Sequence, residues 1–159
     1  MSCSVRADPL PHRARIKYGE TEARGLGILR NGVAEIRSLQ ACVLLAAAVP
    51  VAAGLAGVAF GPGAVELPGL TASQDSHARY LSGLLLGIGL AFWSTVPGIA
   101  RRAARFRLLA AIVVLGGLGR LVSLIAAGQP SAPMLAGLAL ELVATPLLAL
   151  WQARLAARA

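Results

Sequence analysis

Residues 105–151 read RFRLLAAIVVLGGLGRLVSLIAAGQPSAPMLAGLALELVATPLLALW. Two apolar runs are joined here by a short turn rich in Gly, Pro and Ser. Each run is about long enough to cross a hydrocarbon layer as a helix rising 1.5 Å per residue. Each also carries one full charge in its interior, Arg120 in the first and Glu141 in the second. A short turn makes the two helices adjacent and antiparallel. Arg120 lies eight residues before Gly128, and Glu141 lies eight residues after Pro133. Both charges therefore sit roughly 12 Å below the turn, at matching depth. An isolated charge in hydrocarbon costs roughly 2.5–3.5 kcal/mol, so the two should pair. Gly116, Gly117 and Ser123 share the Arg120 face, and Gly137 and Thr145 flank Glu141. Small residues let backbones approach, and hydroxyls can satisfy spare donors. The expectation is a small polar pocket around the pair, open at the turn end.

Composition extends this reading to the whole chain. Of 159 residues, 57% are hydrophobic and 14% charged, against about a quarter charged in a soluble domain. The mean hydropathy is +0.70. Together with segments at 39–60, 79–96, 106–127 and 133–151, this predicts an all-α, antiparallel four-helix transmembrane bundle within residues 39–153. The net charge of +8 is a topology signal. Thirteen of the 15 basic residues fall before residue 38, in the 101–107 loop or in the 154–159 tail. By the positive-inside pattern both termini and the Arg101–Arg107 loop face the cytoplasm. Basic residues are not interleaved with aromatic ones as on single-strand-binding surfaces, so no nucleic-acid partner is expected.

Residues 1–38 read as a flexible basic cytoplasmic arm, in which Pro9, Pro11, Gly19, Gly25, Gly27 and Gly32 interrupt any long helix. A translation start near Val33 is the other reading. In the first apolar segment Pro50 should introduce a kink, and Ala46, Pro50, Gly54, Gly57 and Gly61 make a small-residue face. Residues 61–78 read as a loop. In the second segment Gly83 and Gly87 form a GxxxG expected to pack inside the bundle. Cys3 and Cys42 imply neither a disulfide nor a metal site.

No nucleophile–base, Walker, Rossmann or zinc-binding motif is present, so no catalytic residue, metal or cofactor is assigned. The ligand-binding candidates are Arg120, Glu141, Arg79, Ser123 and Tyr80. Arg120 and Glu141 could equally serve only to fix helix register. His77 lies near the same mouth.

The stretches RYLSGLLLGIGL (79–90), GGLGRLVSLIAAGQP (116–130) and LALEL (138–142) resemble the small bacterial four-helix membrane proteins catalogued as domain of unknown function 4345. The resemblance covers roughly 39–151 and leaves the N-terminal arm outside it. It implies a multi-pass protein of the bacterial inner (plasma) membrane with no established activity, and it carries over no catalytic residues. Function stays open between three expectations. The first is a non-enzymatic protein binding membrane lipid or a small amphiphile. The second is a small proton-coupled transporter or transporter subunit with Glu141 as carrier, which as four helices would need a homo-oligomer or a partner. The third is a membrane enzyme or redox component acting on a lipid.

Overall fold

A long apolar run offers its peptide groups nothing to bond except one another, and the helix is the only local way to satisfy them all. The computed structural model describes residues 12–61 and 71–158, with side chains from Arg30 onward, and all of its regular structure is helical. Among the described residues there are four helices: α1 (His12–Phe60), α2 (Ala72–Trp93), α3 (Ala103–Ala127) and α4 (Ala132–Ala156). Among the described residues three stretches are long and apolar enough to cross a membrane: Arg30–Phe60, Ala103–Ala127 and Ala132–Ala156. Helix α2 has 22 residues and carries Gln74, Asp75, His77 and Arg79 in its first half; it falls short of that standard. The chain divides into a unit of residues 1–35 and a unit of residues 36–159; all that follows lies in the second, apart from the first turns of α1.

Two helix starts differ from the sequence expectation. Helix α1 begins at His12, not near Leu39, and runs through Gly19, Gly25, Gly27, Gly32 and Pro50. A glycine weakens a helix by about 1 kcal/mol without forbidding it. Pro9, Pro11 and Cys3 lie outside the described residues. Helix α2 begins at Ala72 inside the expected loop, because Thr71 and Gln74 form a capping box. The Gln74 amide N–H donates to Thr71 Oγ1 at 3.3 Å, and the Thr71 N–H donates to Gln74 Oε1 at 2.9 Å. The two satisfy each other's free groups at the helix start. Residues 62–70 lie outside the described residues.

Helices α1 and α2 are antiparallel and touch backbone to backbone. A β-carbon on Gly54 would lie 2.5 Å from the Leu86 nitrogen and 2.7 Å from the Ser82 carbonyl oxygen. Gly89 approaches Val51 and the Ala47 carbonyl from the other side, and Gly57 lies against Ser82. The GxxxG pair does not take part as expected. Gly83 has only Val58 nearby, at 3.9 Å, and Gly87 has nothing within 4 Å. The rotation of α2 presents Ser82, Leu86 and Gly89 to α1 and leaves Gly83 and Gly87 exposed.

The fully buried side chains gather at the end where α2 turns into α3. Leu39, Val43, Ile99, Phe106 and Leu155 form the centre, with Phe92 edge-on to Phe106 at 5.3 Å. The turn between these helices is irregular, and Thr95 and Ile99 within it are completely buried. Buried carbonyls without helical partners need donors. Two glutamine side chains supply them. Gln40 Nε2 donates to the Val96 carbonyl at 2.8 Å from α1, and Gln152 Nε2 donates to the Ile99 carbonyl at 2.9 Å from α4. The Trp93 indole N–H donates to the Leu44 carbonyl at 3.1 Å, and Arg102 donates to the Ser94 carbonyl. Gln40→Ala should therefore lose about 1 kcal/mol by leaving the Val96 carbonyl unbonded. Chemical unfolding in detergent micelles checks this; an unchanged midpoint would mean that the amide carries no weight.

Candidate functional site

The site is built from Arg120 on α3 and Glu141 on α4. The two helices run antiparallel, as their contacts require: Arg120 meets Met134 and Gly137, while Gly117 meets Glu141 and Leu142. Gly117 is buried at the crossing, where a β-carbon would come within 2.9 Å of the Glu141 β-carbon. The absence of a side chain there lets α4 approach α3. Arg120 Nε stands 3.2 Å from Glu141 Oε2. The pair expected from matching depth is formed, close in distance but without hydrogen-bond alignment at that carboxylate oxygen. Arg120 Nη1 reaches the Met134 thioether at 3.2 Å, a weak acceptor. The two partners are unequal. The Arg120 side chain is 40% exposed and that of Glu141 17%. The pair is thus a half-open surface feature, and neither Arg120 nor Glu141 lines the depression at Tyr80 or the one at Arg101.

The local backbone is unusual at Glu141. Residues Leu140–Ala144 form a π turn within α4, between α-helical Ala132–Ala139 and Thr145–Ala156. Pro146 explains it. Proline has no N–H for the carbonyl one turn back, and its ring crowds that carbonyl. Widening the turn relieves the crowding, and the Thr145 N–H and hydroxyl both donate to the Leu140 carbonyl, the hydroxyl at 2.9 Å. Such single π turns within α-helices are frequent at functional positions. Thr145 is thereby committed to the backbone and does not serve the carboxylate.

Of the other expected residues, none is joined to the pair by a described hydrogen bond or ion pair. Arg79 is engaged at the end of α1. Its Nε donates to Asp75 Oδ2 at 2.9 Å, and Nη1 donates to the Val58 carbonyl at 2.6 Å. A guanidinium at a helix C-terminus satisfies its last carbonyls and favours the helix dipole. Gly61, with φ of 68°, closes α1 beneath it, and its N–H donates to the Gly57 carbonyl at 3.0 Å. Tyr80 is exposed and, with Ala72, Ser73, Ser76 and His77, borders an open depression of about 590 Å³. Ser123 is exposed one turn from Arg120. Among the described residues no three His, Cys, Asp or Glu side chains stand close enough to hold a metal ion, and Cys42 is free and exposed.

Sequence reading passed over Gln40, Gln152, Met134 and Pro146. Gln40 and Gln152 carried a signal: an amide at either end of the apolar region needs a partner. Pro146, thirteen residues after Pro133 in the fourth apolar run, carried another.

A known protein family matches residues 38–152: Domain of unknown function (DUF4345). The chain belongs to that family. The match takes in both glutamines, the ion pair and the π turn, and leaves the first turns of α1 outside it. No curated protein and no solved structure matches the chain.

Proposed function

We propose that this DUF4345 protein is a non-enzymatic, multi-pass protein of the bacterial plasma membrane, with all four helices crossing and both termini on the cytoplasmic side. In this reading Arg120 and Glu141 hold the polar end of a lipid or small amphiphile. The observation that carries it is the inequality of the pair. The Glu141 carboxylate stands 3.2 Å from Arg120 Nε without an aligned hydrogen bond at Oε2, the sulfur of Met134 is a weak acceptor for Nη1, and the Arg120 side chain keeps 40% of its surface open. A guanidinium so placed retains donors for a carboxylate, phosphate or carbonyl oxygen. Ser123 adds a hydroxyl one turn away, and the exposed Met134 beside Nη1 offers apolar surface to a tail. Native mass spectrometry from mild detergent tests the reading. The wild type should retain a bound small molecule that Arg120→Ala loses; a wild-type spectrum free of adducts in several detergents would refute it.

The π turn at Glu141 favours a second reading, a proton-coupled transporter or transporter subunit. It separates from the first because Glu141→Gln would abolish pH-driven flux in liposomes.

A further inference from the structure

The opposite end of α3 carries a second feature, independent of the ion pair. Arg101, Arg102, Arg105 and Arg107 are exposed within seven residues, and Arg154 is exposed on the last turn of α4. The bond from Gln152 to the Ile99 carbonyl brings that last turn to the same end. No Asp or Glu occurs between Asp75 and Glu141, or from Glu141 to the C-terminus. The charge at this end is thus not balanced from the turn, from α3 or from the last turns of α4. The guanidiniums are mounted on a rigid base. Thr95 and Ile99 are buried, Gln40 and Gln152 hold the turn carbonyls, and Arg102 is tied to Ser94. Pro97, Gly98, Arg101 and Arg102 border a depression of about 530 Å³. One turn into α3 the surface becomes apolar, with Leu108 62% and Ile112 42% exposed.

A cationic rim above an apolar helix face has the chemistry of an anionic amphiphile reversed. We propose that this end binds the headgroup of an anionic phospholipid. Arg101 and Arg105 face its phosphate, and its acyl chains lie along Leu108 and Ile112. Arg105 lies roughly 22 Å along α3 from Arg120 at helical rise, so the two sites are separate. Each basic residue near an anionic bilayer surface strengthens binding about fivefold.

The test uses the purified full chain in neutral detergent, with thermal unfolding followed against added short-chain phosphatidylglycerol, short-chain phosphatidylcholine or inorganic phosphate. Arg102 is left intact because it ties the turn. Phosphatidylglycerol should raise the midpoint, and the other two should not. Arg101→Gln/Arg105→Gln should weaken the phosphatidylglycerol response about 20-fold in concentration, while Gly87→Ala, where nothing lies within 4 Å, leaves it unchanged. Equal responses to both lipids would overturn the proposal. So would a phosphate response matching that of phosphatidylglycerol, which would identify a free-anion site. Displacement of the lipid by a single-stranded oligonucleotide would point to nucleic acid instead and overturn it too. A double variant that still responds at wild-type concentrations would show that these arginines are not the site.

Discussion

Gly54→Ala will destabilise the protein by about 2–3 kcal/mol, while Gly87→Ala, next to Leu86 but on the exposed side of α2, will stabilise it or leave it unchanged. The first change places a β-carbon 2.5 Å from the Leu86 nitrogen and 2.8 Å from its α-carbon. Those are backbone atoms and cannot rotate aside, so α1 and α2 must part. Overpacking of this kind costs typically 1–3 kcal/mol, and separation of the helices also loses the contacts of Gly57 with Ser82 and of Gly89 with Val51. Alanine's better helix propensity returns at most about 1 kcal/mol. At Gly87 nothing lies within 4 Å, so only the propensity gain remains. Unfolding midpoints in one detergent, measured for both variants, decide the matter. Shifts of the same sign and size would mean that the crossing of α1 and α2 is misplaced.

The second large effect belongs to the ion pair. Arg120→Met leaves the Glu141 carboxylate, 17% exposed, without its cation beside two apolar helices. Insertion scales put an uncompensated charge at roughly 2.5–3.5 kcal/mol at the helix centre, and a loss of about 2–3 kcal/mol is expected here. Glu141→Leu should cost less, because a guanidinium already 40% exposed can swing its long stem towards more polar surroundings. Arg120→Met/Glu141→Leu should cost under about 1 kcal/mol, since replacing both charges removes the desolvation of each. The result is read as a double-mutant cycle. Strictly additive losses would show that the two groups do not sense each other. The cycle also separates structure from ligand binding: the double variant should fold and yet lose any bound amphiphile.

The ion pair was legible in the sequence because its logic is one-dimensional. Equal spacing from a short turn sets equal depth, and hydrocarbon punishes an unpaired charge. Helix existence was legible for the same reason, from runs of apolar residues bounded by Gly and Pro. What escaped depends on rotation and tertiary approach. Gly83 and Gly87 match a packing pattern, but the face of α2 that meets α1 is set by Ser82, Leu86 and Gly89. Arg79 is a ligand-binding candidate in sequence, yet the end of α1 lies close enough to claim it. Gln40 and Gln152 stand 112 positions apart, and no local rule says that both serve one turn. The start of α2 was readable and missed: Thr71 followed three residues later by Gln74 is a capping signature.

The wide turn at Leu140–Ala144 has a consequence for kinship within DUF4345. A lone π turn is an α-helix holding one surplus amino acid. Excising a single position there would restore the ordinary ladder while the surfaces before and after it kept their bearings. A cousin one letter shorter at this spot, and lacking the proline, could therefore superimpose on this chain everywhere except beside the carboxylate. Such a gap in an alignment would mark where the acidic group is aimed, and would not signal a different architecture.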